Sequence, residues 1–209
     1  MKHITRTRLT AALMATVLSI AALAQANSSA IKNAYSLGEN TASRLEIRWA
    51  NANNDQNPTV LAQVAAVDQS IQRHAQRLGI NPQQVLIVLK GIDPGTPDGN
   101  VLSSSAEPVI EGILNTHGSS GKVVRAYSLG WKTSAYSQAC TVALVAQHQH
   151  PDIAAGFMAV YPALADQLKT GASDFGVQVS SPQAGLSLTD TCKELMTTLS
   201  ALNHALQVH

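Results

Sequence analysis

The chain has 209 residues, 45% hydrophobic, 4% aromatic and 13% charged, and its 14 Lys and Arg nearly balance 13 Asp and Glu. That balance excludes partners held through clustered basic residues, so nucleic acid and electrostatic binding to an anionic membrane are not expected. The length suits one domain.

Residues 1–26 have the layout of a secretory signal. Lys2, Arg6 and Arg8 form a basic start, Leu9 to Leu23 carries no charge, and Ala24-Gln25-Ala26 places small residues before a cut. As a helix the uncharged run rises only about 22 Å, short of the ~30 Å hydrocarbon core. Cleavage after Ala26 is therefore expected, with no membrane span left and a mature protein in the periplasm or secreted. The cut removes three of the 14 basic residues and no acidic one, leaving 183 residues of net charge −2.

Residues 27–57 read as a polar N-terminal segment. Within it Leu45, Ile47 and Trp49 alternate with Glu46 and Arg48, the pattern of an edge strand inside Ser43 to Ala52, with a short helix as the alternative. Residues 58–209 read as a single globular domain. Asn57 and Pro58 form a helix start, and Val60, Leu61, Val64, Val67, Ile71 and Leu78 follow at helical steps down to Gly79. Val85 to Leu89 is a short continuous apolar run, expected to be a buried strand, with a helix turn as the alternative. Gly91 to Asn100 is a turn-rich loop, followed by a helix near Pro108 to Thr116 that Gly118-Ser-Ser-Gly121 ends.

Val123 to Trp131 is the second expected strand. Helical stretches follow at Ser137 to Gln147 and Ile153 to Lys169, with Pro162 expected to kink or break the latter. Phe175 to Val179 alternates as a third strand, and Asp190 is placed to cap a last helix carrying Leu195, Leu199, Leu202 and Leu206. This order predicts a compact α+β or α/β sandwich, helix-rich, with about three short strands. The pentapeptide Ala34-Tyr-Ser-Leu-Gly38 recurs at Ala126 to Gly130; at five residues it is read as chance.

The mature chain has two cysteines, Cys140 and Cys192, which in an oxidising compartment are expected to form one disulfide. Ser134-Ala-Tyr-Ser-Gln-Ala-Cys140 resembles the nucleophile elbow of α/β-hydrolases of the esterase type. The resemblance implies a serine hydrolase with Ser137 as nucleophile and Asp190 and His204 as its partners. The alternative at these residues is an ordinary helix start capped by Ser137. The cysteine-bearing helix followed by Leu186 to Asp190 and Cys192 looks like the disulfide-closed region of type IVb pilins, which would imply an appendage subunit. Residues 1–26, however, hold neither the glycine nor the glutamate of a pilin cut site.

His148, His150 and Asp152 are closely spaced metal-ligand types, although two histidines two apart point to different sides of a continuing helix. Asp93, Asp98 and Asn100 could offer oxygens to Ca²⁺, but lack the spacing of an EF-hand loop. No cofactor loop is present. The leading expectation is a non-enzymatic envelope or secreted binding module of unspecified protein or small-molecule partner, with a hydrolase and an appendage subunit as alternatives.

Overall fold

The computed structural model describes residues 28–208 apart from 55, 181, 182 and 184, so the expected signal at 1–26 lies outside the described residues. Seven α-helices, two short 3-10 turns (Ala52–Asn54 and Pro97–Gly99) and no strand occur among the described residues, helix of both kinds accounting for 79%. They are α1 (28–50), α2 (Pro58–Arg77), α3 (Pro82–Gly91), α4 (Ala106–Thr116), α5 (Gly121–Ala146), α6 (Pro151–Ser173) and α7 (Leu188–Val208). The expected α/β or α+β sandwich is therefore wrong. Residues 43–50 belong to α1, Val85–Leu89 lies within α3, and Val123–Trp131 is the first third of α5. Phe175 to Val179 is turn and irregular backbone.

Each error has a physical source. A short apolar run fits a buried strand or a buried helix turn equally well. In α3, Val85, Leu86 and Leu89 are buried while Ile87 is 68% exposed, a helical rather than an alternating pattern. The flanking signals favour the helix: Asn81 caps through its side chain and Pro82 occupies the first turn. In α5 the buried positions run almost all the way round, so no single stripe marks the helix. Pro162 does not break α6; it sits on the exposed side, where a lost backbone hydrogen bond can be replaced by water.

The N-terminal segment supplies the centre of the molecule. Ala34, Tyr35, Leu37 and Ala42 of α1 are completely buried in the same core as Ala126, Tyr127, Leu129 and Trp131 of α5. The two copies of Ala-Tyr-Ser-Leu-Gly face each other there. A Cβ built on Gly38 would fall on the Tyr127 carbonyl, and one built on Gly130 would fall on the Tyr35 carbonyl. The helices cross at the glycines, and from there contacts advance together along both (38 with 127, 43 with 134, 46 with 138), so α1 and α5 run in the same general direction.

The pairing is reciprocal beyond the glycines. Tyr35 donates its hydroxyl to Thr133 Oγ1 at 3.1 Å, and Thr41 meets the Tyr127 hydroxyl at 3.3 Å. Thr41 and Thr133 stand at the same place after each pentapeptide, so the repeat extends to Ala-Tyr-Ser-Leu-Gly-x-x-Thr and is structural rather than accidental. Matching positions also reach the following helix in each half. Asn33 meets His74 and Arg44 meets Asp68 of α2; Arg125 meets Asp174 at the end of α6, and Tyr136 meets Gln167 of α6.

The remaining helices attach to this pair. Arg44, 3% exposed, bonds Asp68 at 2.5 Å and the Leu89 carbonyl at 3.1 Å, tying α1 to α2 and α3. On the other side Cys140 of α5 and Cys192 of α7 stand at disulfide distance, their Cα atoms 5.7 Å apart. Such a link fastens the last helix to the centre and stabilises by roughly 3–4 kcal/mol in the chain-entropy account. No helix among the described residues is long and apolar enough to cross a membrane.

Because backbone blocks the added methyl, Gly38→Ala and Gly130→Ala are each expected to lower stability by about 3 kcal/mol or more. Gly112→Ala in α4 meets nothing within 4 Å and is expected to be neutral or to stabilise by up to about 1 kcal/mol. Chemical denaturation followed by circular dichroism checks all three; equal effects at Gly38 and Gly112 would contradict the close approach.

Candidate functional site

Two cavities open beside the central helix pair. The first is a polar cleft of about 550 Å³ between α1, α5 and α7. On α1, Glu39, Ser43 and Glu46 follow one another at helical steps and share one face. Ser134, Ser137 and Gln138 face them from α5, and Met196, Ser200 and Asn203 close the third side.

The second cavity, about 390 Å³, is an apolar groove between the end of α1, the loop before α4, and helices α5 and α6. Trp49, Leu102, Val142, Ile153, Phe157 and Val160 give it its character. Nine large hydrophobic side chains are exposed among the described residues, and four of them (Trp49, Leu102, Ile153, Val160) line this one groove. Such clustering separates a candidate contact surface from the scattered exposed apolar residues that any protein carries.

Glu46 and Gln138 line both cavities. Glu46 is only 6% exposed, accepts from Ser134 Oγ at 3.3 and 3.4 Å, and lies beside Gln138. Ser134 in turn is 2.9 Å from Ser43, which closes a hydroxyl bridge between the two helices. Burial pushes the Glu46 carboxyl up to about 7, with the Ser134 and Gln138 hydrogen bonds opposing the rise. Glu39 is also raised to about 7, again by burial, and its bond with Tyr35 opposes the shift. Asn203 Oδ1 is buried in the cleft wall without a hydrogen-bond partner.

The residues singled out from sequence are placed elsewhere or apart. Ser137 lies within α5, not at a strand-to-helix turn or a helix start, and its hydroxyl meets Met196 Sδ at 3.5 Å. Asp190 and His204 lie on the single helix α7, fourteen residues and so about 21 Å apart along its axis. One serine cannot be reached by both at hydrogen-bond range. Asp190 exchanges hydrogen bonds with Ser187 at the start of α7, a capping pair in which Ser187 rather than Asp190 takes the cap position.

His148 and His150 occupy the exposed turn between α5 and α6, with Asp152 in the first turn of α6. No group of three or more His, Cys, Asp or Glu among the described residues could hold a metal ion. Asp93 accepts from the Gly95 N–H, Asp98 accepts from the backbone and hydroxyl of Ser105, and Asn100 accepts from the Leu102 N–H. Their oxygens shape the loop.

Glu39, Glu46, Trp49 and Asn203 were missed as site residues. Their signal was the helical spacing of Glu39, Ser43 and Glu46, which an edge-strand reading breaks by turning Glu46 outward. Comparison with known proteins finds no matching family model, no similar curated protein and no similar solved structure.

The raised carboxyls make stability depend on pH. The folded chain holds the Glu46 proton longer than the unfolded chain, so stability is lost as pH rises from about 4.5 to about 7. Glu46→Gln is expected to match the parent at pH 4 and to exceed it by roughly 2–3 kcal/mol at pH 8. His74, whose value burial lowers, changes stability in the opposite sense near pH 6.5. It is common to both proteins, so urea denaturation of the pair at the two pH values isolates Glu46.

Proposed function

We propose that the protein is an exported, non-enzymatic binding module that takes a small, largely apolar ligand in the groove between α1, α5 and α6. The observation that carries this reading is the convergence of Trp49, Leu102, Ile153 and Val160, each at least 40% exposed, on one concave surface. A groove of about 390 Å³ has the size of a small-molecule site rather than of a protein interface. Its few polar groups, Glu46, Gln138 and Asn100, are of the kind that orient a ligand in an otherwise apolar pocket. Export is supported by the signal-like residues 1–26 and by the Cys140–Cys192 pair.

The reading is tested with the neutral dye N-phenylnaphthylamine, which brightens in apolar surroundings. The purified protein is expected to bind it in the micromolar range. Val160→Glu, on a side chain already 47% exposed, is expected to weaken binding at least tenfold without loss of helicity. Absence of dye binding, or equal binding by the variant, would rule the groove out.

A further inference from the structure

The cleft and the groove meet at a carboxyl group, which selects among apolar ligands. We infer that the ligand is an amphipathic cation, an aliphatic chain ending in a primary ammonium, with its chain in the groove and its ammonium at Glu46. This rests on the groove being a binding site, as proposed above.

Charge complementarity decides the choice. Two carboxyls, Glu39 and Glu46, line the combined cavity, and no Lys, Arg or His side chain does so among the described residues. An anionic head group would meet only acidic and neutral groups there. The neutral groups of the cleft are compatible with that preference: the Ser43 and Ser134 hydroxyls beside Glu46 can accept, and farther along the cleft Asn203 Oδ1 is a buried acceptor that lacks a donor. An ammonium carries three donors and no acceptor, so it can use the Glu46 carboxylate and the serine oxygens beside it. The burial that lifts the Glu46 carboxyl to about 7 is a cost that a bound cation would offset.

The apolar half fits the same molecule. Trp49 follows Glu46 by three residues on α1, so indole and carboxyl share one side of the helix at the mouth of the groove. An ammonium between them gains both the carboxylate and the indole face. Beyond it Phe157, Ile153 and Val160 of α6 continue the apolar wall along which a chain would lie.

Trp49 also supplies the readout. The chain has two tryptophans, and Trp131 is 1% exposed while Trp49 is 40% exposed, so ligand-induced changes in emission report the groove. Trp49→Phe verifies that assignment by abolishing the change. Octylamine, octanol and octanoate, matched in chain length and used below their micellar concentrations, are titrated into the full protein and into Glu46→Gln. Far-UV circular dichroism and urea denaturation show that the variant is folded.

Octylamine is expected to bind at least tenfold more tightly than octanol, with octanoate weakest, and Glu46→Gln is expected to remove the amine's advantage over octanol. Octylamine no tighter than octanol, octanoate tightest, or an amine preference that survives in Glu46→Gln would each overturn the inference. If the dye binds but no octyl compound does, the inference falls and the apolar site stands. If the dye also fails to bind, both fall together.

Discussion

The structure depends on one close approach, the contact of α1 with α5 at Gly38 and Gly130. Each glycine leaves room for a carbonyl of the opposite helix, where any side chain would collide with backbone. Bringing the backbones this near lets Tyr35 reach Thr133 and lets Thr41 reach Tyr127, so the buried hydroxyls at the centre have partners. The same proximity lets Ser43, Glu46 and Ser134 form a bridge across the helices. A wider spacing would leave these polar groups buried without bonds, at a cost of roughly 1–3 kcal/mol each.

Around that contact the two halves of the chain are alike where the two helices meet and unlike where they line the cavities. Alanine, tyrosine, serine, leucine, glycine and threonine coincide in the two copies. At the positions that line the cavities the copies differ: Glu39 corresponds to Trp131, Ser43 to Ala135, Glu46 to Gln138 and Trp49 to Thr141. The acidic face and the exposed indole thus belong to α1 alone. Glu46 and Gln138 are equivalent to one another and both stand between cleft and groove. A site at this place is central and supported on both sides by packed helices, a setting in which side chains are held by their neighbours.

The raised carboxyls, Glu46 buried and Glu39 half-buried, are the feature that stability does not explain. Two ionisable groups raised by burial weaken the folded state at neutral pH, and glutamine would fill the same space at lower cost. Strain of this kind is often retained where a ligand relieves it. The Arg44–Asp68 pair is a contrast: there the carboxylate faces a buried guanidinium, and the pair serves to join α1 to α2 and α3.

The sequence by itself determined much of the local structure. Asn57 and Pro58 start α2 as their chemistry requires, Gly79 and Gly118 end helices with positive φ, and the leucines of α7 form the buried face their spacing implied. The cysteine pair was also legible, since the signal-like start led to the expectation that the two cysteines would pair. Tertiary structure decided the rest. Val85 to Leu89 and Val123 to Trp131 are apolar enough for strand or helix; the caps at Asn81 and Ser120 favour the helix locally, and packing against α2, α4 and α6 completes the choice. Whether Glu46 faced water or the core turned on that same choice, because strand and helix periods send it to opposite sides. The meaning of the repeated pentapeptide, likewise, appears only when two segments 92 residues apart in the chain are brought face to face.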